Sequence, residues 1–170
     1  MTRSERNLAV IAGLHPPFAS LVTRWLAGQD ALGRQILLVQ GRRTIAEQNA
    51  LFAQGRTTDG PRVTMARGGQ SYHNFGLAVD FLDEAASGDP LKVDQSDWEA
   101  TAYAEIVKPA VALGMQWGGA WRRNQDRPHL EWHPGFAAWD AERLLAVADA
   151  TGALPADLWA DKAAPPDMMA

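Results

Sequence analysis

A chain of 170 residues, 46% of them hydrophobic, is long enough to bury one core and needs no second domain. Its formal net charge of −4 excludes the basic surface that binds nucleic acid, so we expect no nucleic-acid partner. The absence of cysteine excludes disulfides and cysteine-ligated structural zinc sites. Because the sequence has no run of about 18 apolar residues, we expect no membrane span.

The two ends of the chain are polar or biased in composition. Met1 to Asn7 is charged and lacks the apolar stretch of a signal peptide, so we expect synthesis in the cytoplasm. Ala163 to Ala170 is predicted to be a disordered tail.

The first predicted helix begins at His15-Pro16-Pro17, because proline is tolerated in the first turn of a helix. Gln35 to Gln40 contains four consecutive apolar residues, too few for a helix and rich in branched side chains, and is predicted to be a central strand. The helix is predicted to pack through an apolar stripe at helical spacing, formed by Phe18, Leu21, Val22, Trp25 and Leu26.

A second helix is predicted over Ile45 to Gln54. Thr44 is its expected N-cap, Glu47 stands at the capping-box spacing, and a glycine follows the last turn. Arg43 then lies at the junction between strand and helix. The next segment, Arg56 to Gln70, is predicted to be a long loop, and long loops in compact domains are often functional.

The segment Leu77 to Leu82 is apolar except for Asp80, which predicts a buried strand that carries one carboxylate inward. An isolated buried carboxylate is costly, so Asp80 needs a cation or strong hydrogen bonds.

Three further elements are predicted in the C-terminal half. They are a helix from Trp98 to Leu113 capped by Asp97, a short strand over His129 to His133 and a helix over Asp140 to Thr151. A polar loop, Arg122 to Arg127, precedes the strand.

Two histidines and one acid suit an open zinc site, in which zinc keeps one position free for water and lowers the pKa of that water to about 7. His73, Asp80 and His129 are the predicted ligands. Asp126 or Glu131 is then left as the general base that takes up the water proton.

A rival ligand set remains open. Side chains alternate along a strand, so His129, Glu131 and His133 would point to one face, and His133 could replace His129 or Asp80 at the metal.

Three motifs follow one another along the chain. They are Gly41-Arg42-Arg43-Thr44, Ser71-x-His73-x-x-Gly76-x-Ala78-x-Asp80 and Asp126-x-x-His129-x-Glu131. A known family of zinc peptidases has the same order. The chain resembles its VanY-like, D-Ala-D-Ala-metallopeptidase group, and within it the L-alanyl-D-glutamate endopeptidases of bacteriophage endolysins. The likeness extends from about residue 8 to residue 136 and includes Gln48-Asn49-Ala50-Leu51.

The resemblance implies a role for each matched residue of the metal site. His73, Asp80 and His129 match the three zinc ligands of the family, and Asp126 matches the acid that acts as its catalytic base.

Other matched positions imply roles around the metal. Arg43 matches an arginine that binds or polarises the substrate, and Ser71 matches a serine that lines the pocket. Glu131 is expected to orient a ligand histidine, as outer hydrogen-bond partners commonly do. The sequence departs from the family at Ala120, where relatives often carry Asp, which puts a loop contact in doubt.

The resemblance also implies a fold and an activity. We expect a small α+β peptidase domain over residues 1–160, with an antiparallel sheet flanked by helices and a zinc cleft, and a tail over residues 161–170. The expected function is hydrolysis of a peptidoglycan stem peptide, at the L-alanyl-D-glutamate bond, by a monomer that acts on the wall after its release from the cell. The alternatives are a D,D-carboxypeptidase or dipeptidase that acts on D-Ala-D-Ala ends, and a non-catalytic zinc-containing module that binds the wall.

Overall fold

Four short strands pair in one antiparallel sheet of order β1-β2-β4-β3. The computed structural model describes residues 1–84, 100–133 and 141–159. Its strands are β1 (Ile36–Gln40), β2 (Ala78–Asp83), β3 (Met115–Trp117) and β4 (His129–Trp132). The two inner strands, β2 and β4, are those that carry Asp80 and His129. The predicted α+β class and antiparallel sheet are confirmed.

The described ranges contain five α-helices. They are α1 (Arg3–Ala12), α2 (Pro16–Ala31), α3 (Ile45–Ala53), α4 (Ala100–Ala112) and α5 (Ala141–Val147). Short 3-10 helices occupy Tyr72–Phe75 and Gly118–Ala120. None of the helices in these ranges has the length and apolar character needed to cross a membrane.

Helix α2 packs its predicted apolar stripe into the core. Trp25 is buried against Phe81 of β2, with ring centroids 4.9 Å apart, and its indole Nε1 donates to the carbonyl oxygen of Ile106 in α4 at 3.0 Å. One side chain therefore joins two helices to the sheet and has its only polar atom satisfied. The predicted start of this helix at His15-Pro16-Pro17 is confirmed.

Helix α3 begins as predicted. The Thr44 hydroxyl accepts from the Glu47 amide at 3.2 Å, and the Glu47 carboxylate accepts from the Thr44 amide at 2.7 Å. This capping box pairs backbone groups that the first turn of a helix leaves open. The helix ends one residue earlier than predicted, and Gly55 follows with a φ of 68°.

The prediction that β1 is a central strand is wrong. It lies at the edge of the sheet, and its first three residues are nevertheless buried because α1 packs beside it. The Asn7 amide of α1 bonds the free edge: its Nδ2 donates to the Ile36 carbonyl at 2.9 Å and its Oδ1 accepts from the Leu38 amide at 2.8 Å. A side chain thus takes the place of a neighbouring strand.

Two elements were not anticipated from the sequence. Helix α1 begins with a Thr2–Glu5 capping box, and none of its residues is fully buried, although Val10 and Ile11 pack against the core. Strand β3 has only three residues, and its pairing with β4 is a long-range contact that no local pattern announces.

The C-terminal predictions have mixed outcomes. The helix from Trp98 is seen from Ala100 and runs through Pro109 to Ala112, while its expected cap, Asp97, lies outside the described residues. The last helix ends at Val147 rather than at Thr151, and the Asp149 carboxylate accepts from two amides in the turn that follows. The predicted tail over residues 163–170 also lies outside the described residues.

The bonds from Asn7 to the sheet edge predict a measurable loss of stability. Asn7→Leu leaves an amide and a carbonyl of β1 without these partners, so the free energy of unfolding should fall by about 1–3 kcal/mol. Urea unfolding measures the change. Arg6→Ala, at an exposed position of the same helix, is the matched control and should stay within about 0.5 kcal/mol. Equal values for the two variants would contradict the edge-pairing role.

Candidate metal centre

Sheet pairing brings two of the predicted ligands together. Asp80 in β2 and His129 in β4 are direct partners in the antiparallel ladder, so their side chains leave the sheet on the same face. The Asp80 Oδ1 lies 2.9 Å from the His129 Nδ1. An acid and an imidazole that are 49 positions apart in the sequence therefore share one point in space.

The third predicted ligand comes from the turn that precedes β2. His73 lies in the 3-10 helix Tyr72–Phe75, and Gly76 ends that helix with a φ of 67°, a left-handed conformation that favours glycine. A Cβ at this glycine would stand 2.9 Å from the His15 amide nitrogen, so a side chain would also clash. The sharp turn places the His73 Nε2 at 3.3 Å from the Asp80 Oδ1.

Each imidazole has a separate partner for its outer nitrogen. The His73 Nδ1 is 2.8 Å from the Gly41 carbonyl oxygen, which can only accept, so this nitrogen carries the proton in the neutral ring. The His129 Nε2 is 3.1 Å from the Glu131 carboxylate and is assigned the proton for the same reason. The nitrogens that face Asp80 are then free to donate a lone pair, which is the arrangement of metal-binding histidines.

The spacing of the three donor atoms fits a small tetrahedral cation. Ligands at about 2.0–2.1 Å from zinc lie about 3.3 Å from one another in a tetrahedron. The two distances to Asp80 Oδ1 are 3.3 and 2.9 Å, and all three donor atoms lie within 4.8 Å of one another. Two neutral imidazoles and a carboxylate are also the donor set of open zinc sites.

The contacts among these side chains also set the pKa values of Asp80 and His129. Burial alone would raise the pKa of Asp80, but hydrogen bonds from His129 and His73 outweigh it and hold that pKa well below its usual range. Burial alone would lower the pKa of His129, but hydrogen bonds to Asp80 and Glu131 raise it to about 9.

The donor group borders a cavity of about 750 Å³. Its walls come from three regions: the long loop after α3 (Arg62 to Ala66), the segment Gln70 to His73, and the loop from Trp121 to Asp126. The predicted functional loop over Arg56 to Gln70 is therefore one wall of the site, and a metal ion at the donor group would face open space.

The comparisons with known proteins can now be set beside this geometry. A family model of M15 peptidases, described as D-alanyl-D-alanine carboxypeptidase, matches residues 64–132. The peptidoglycan L-alanyl-D-glutamate endopeptidase CwlK of Bacillus subtilis (strain 168) is 37% identical over 132 residues, which are 76% of this chain and 79% of that protein. This chain belongs to the M15 peptidase family.

Two further relatives agree with this membership. The L-alanyl-D-glutamate peptidase of Listeria phage A118 is 29% identical over 129 residues, which are 76% of this chain but only 41% of that enzyme. The crystal structure of the Serratia marcescens L-Ala D-Glu endopeptidase ChiX matches with a TM-score of 0.53 and 22% identity, over 75% of this chain and 86% of that one, and shows that the fold is shared. The family resemblance predicted from the sequence is confirmed. M15 peptidases are metallopeptidases, as the His73, Asp80 and His129 donor group suggests.

Asp126 lines this cavity and is half-buried in the loop before β4. The pKa of the Asp126 carboxyl is raised, mainly by burial and then by the negative charge of Asp80. A general base works best when its pKa lies near the pH of the reaction, so this shift favours the role. The backbone of Asp126 is held on both sides, since its amide donates to the Gly118 carbonyl and its carbonyl accepts from the His129 amide. A Cβ at Gly118 would lie 2.5 Å from the Asp126 carbonyl oxygen, so this glycine is needed for the close approach.

Arg43 and Ser71 both line the cavity, where the sequence predicted substrate contacts. The Arg43 amide donates to the His73 carbonyl at 2.9 Å, which couples the strand-to-helix junction to the ligand-bearing turn. Its guanidinium Nη1 donates to the Gln48 Oε1 at 2.7 Å.

The alternative ligand set shares one face of the strand, but its side chains do not form one donor group. His129, Glu131 and His133 do share one face, as the alternation predicted, but Glu131 stands between the two rings. The His133 Nε2 bonds the Glu131 Oε1 at 2.8 Å, and its ring stacks on Tyr72 with centroids 4.3 Å apart. His133 is not a member of the donor group in the described residues.

Three further residues contribute to the site, and the sequence predicted no role for them. Gln48 and Asn74 are buried polar residues, and the ring of Trp121 lies 5.2 Å from that of His129. Asn74 joins two segments: its Oδ1 accepts from the Gly69 amide at 2.9 Å, and its Nδ2 donates to the Arg43 carbonyl at 3.0 Å.

Replacing Glu131 should weaken the metal site without removing a ligand. In Glu131→Gln, the carboxylate that accepts from the His129 Nε2 becomes a neutral amide, so zinc affinity should fall by about 10–100-fold. Titration of the metal-free protein against a zinc chelator of known affinity measures this change. Gln116→Ala, which removes a contact to His133 outside the donor group, should leave the affinity unchanged; an unchanged affinity in Glu131→Gln would disprove the orienting role.

Metal binding should displace a proton. Because the pKa of His129 is raised to about 9, its ring is protonated at pH 7 in the metal-free protein, whereas a ligand imidazole must be neutral. Zinc affinity should therefore rise with pH, by about tenfold per unit for this proton, and level off above pH 9. Calorimetric titrations in buffers of different ionisation enthalpy count the released protons, and a value of zero at pH 7 would contradict the assignment.

Proposed function

We propose that this M15 peptidase is a zinc-dependent endopeptidase that hydrolyses the stem peptide of peptidoglycan, at the L-alanyl-D-glutamate bond. The observation that carries the proposal is the convergence of His73, Asp80 and His129 at the wall of an open cavity that also contains Asp126. The substrate class is supported by CwlK, the phage A118 enzyme and ChiX, which are named as peptidases of this bond.

Each residue of the site has a separate role in the proposed hydrolysis. A zinc ion held by His73, Asp80 and His129 would polarise the scissile carbonyl and lower the pKa of water. Asp126 takes up the proton of the attacking water and returns it to the leaving amine nitrogen. Arg43 donates N–H groups to the oxygen on which negative charge develops, and such preorganised donors are worth most where water is excluded.

The walls of the cavity suit an extended peptide substrate. Trp121 and Tyr72 offer aromatic surface, and Ser71 and Gln70 offer polar groups that can bond a peptide backbone. We further propose that the enzyme works as a monomer and reaches the wall after release from the cell in which it is made, as the endolysin resemblance implies.

Asp126→Asn tests the chemical role. The variant keeps the shape of the side chain but cannot take up a proton, so the turnover rate should fall by about 10²–10⁴-fold while zinc remains bound. Release of soluble fragments from purified peptidoglycan measures turnover, and elemental analysis measures zinc. Asp157→Asn, at an exposed acid that does not line the cavity, is the control; undiminished cleavage by Asp126→Asn would refute the assignment.

Mass spectrometry of digested wall fragments tests the bond and the metal together. Fragments with new amino termini at D-Glu, formed only without chelator and restored by zinc, are the expected result. A second candidate is suggested by the description of the matched family model as a D-alanyl-D-alanine carboxypeptidase. Release of free D-Ala would establish that activity instead, and binding of the wall without any product would indicate a non-catalytic module.

A further inference from the structure

A single buried amide contacts the guanidinium of Arg43. Gln48 is 0% exposed, and its side chain lies between Arg43 and the loop that forms one wall of the cavity. Its Oε1 accepts from the Arg43 Nη1 at 2.7 Å, and its Nε2 donates to the Ala66 carbonyl at 2.8 Å and to the Thr64 hydroxyl at 3.3 Å. A buried amide is costly unless it is bonded, so these contacts also stabilise the fold.

These partners fix the orientation of the amide. An arginine side chain can only donate, and the Ala66 carbonyl can only accept. Rotating the amide by half a turn would set its NH₂ group against a cation and its oxygen against a carbonyl. The oxygen is therefore held toward Arg43, and the loop wall at Thr64 and Ala66 sets its position.

The Gln48 amide carries no charge, so it does not neutralise the guanidinium of Arg43. A carboxylate at this point would neutralise the guanidinium, whereas an amide oxygen holds it through one hydrogen bond and leaves its positive charge for the cavity. Among the described residues, the Arg43 guanidinium makes one side-chain hydrogen bond, from Nη1 to Gln48, and a guanidinium has five N–H donors. Because arginine has a long and flexible side chain, holding it in one rotamer beforehand reduces the entropy lost when a substrate binds.

We propose that Gln48 is a positioning residue, which holds Arg43 against the loop wall so that its guanidinium meets the developing oxyanion of the substrate. This inference rests on the proposed hydrolysis and on the role proposed there for Arg43. It assigns to Gln48 an effect on turnover that acts through Arg43 and not merely through stability.

A double-mutant cycle separates these two effects. The variants are Gln48→Met, which keeps a similar volume without the amide, Arg43→Ala and the pair, assayed on purified peptidoglycan per zinc-loaded molecule. Gln48→Met should lower kcat by on the order of 10- to 100-fold in the presence of Arg43. In the Arg43→Ala background the same change should cost about twofold or less, because residues that act as a unit are not additive.

Asn49 offers a matched control in the same helix. Its Oδ1 accepts from the Gly68 amide at 2.9 Å, so the side chain bonds the same loop. This bond does not involve Arg43. Asn49→Ala should change kcat by about twofold or less in both backgrounds. Should Gln48→Met not fold, Gln48→Asn, which keeps a buried amide but shortens it by one methylene, takes its place in the cycle. Equal losses from the Gln48 variant with and without Arg43 would overturn the inference.

A readout without substrate distinguishes this inference from the proposed function. The ¹⁵N–¹H signals of the Arg43 guanidinium, assigned by their absence in Arg43→Ala, should exchange slowly with water in the wild type and be lost or broadened in the Gln48 variant. Unchanged signals would overturn the positioning role even if the enzyme is active. Failure of the wild type to cleave peptidoglycan would instead count against the proposed function, and the signals would still decide whether Gln48 holds Arg43.

Discussion

The carboxylate of Asp80 sits opposite His129 in the central ladder of the sheet, and its Oδ1 lies within 3.3 Å of a nitrogen from each of two histidines. A half-buried carboxylate at this position is costly unless it is paired with a cation or hydrogen-bonded. In the metal-free protein that compensation comes from hydrogen bonds to His73 and His129, and a metal ion can take it over with the same three atoms. The order of β2 and β4, the turn at Gly76 and the loop before β4 all serve to bring these groups to one point.

The surroundings of the site are held by buried polar groups rather than by apolar packing alone. The Gly41 carbonyl and the Glu131 carboxylate orient the two histidines, and Gln48 and Asn74 tie Arg43 and the ligand-bearing turn to the neighbouring loop. Directional hydrogen bonds of this kind hold an unliganded site close to its working geometry. The long loop from Arg56 to Gln70 can therefore form a wall of the cavity although it has little regular structure of its own.

Local chemistry explains which predictions from the sequence were right. The capping box at Thr44 and Glu47 involves residues three positions apart, and the stripe of α2 depends only on helical spacing, so both are visible in the sequence. The central position assigned to β1 was wrong because an apolar run indicates burial but not what provides it. Here the cover is α1, whose Asn7 bonds the strand edge across a separation of about thirty residues, a contact that no spacing rule reports.

The sequence by itself determined the family and the candidates for the ligands and the base. His73, Asp80, Asp126 and His129 stand in motifs whose short spacing is visible without the fold. Only the tertiary structure decided how the motifs combine. Strand register set Asp80 beside His129, the position of Glu131 between two rings separated His133 from the donor group, and burial revealed Gln48 behind Arg43. These outcomes depend on contacts between residues that are distant in the chain, and such contacts form through packing of the whole domain rather than through any local preference.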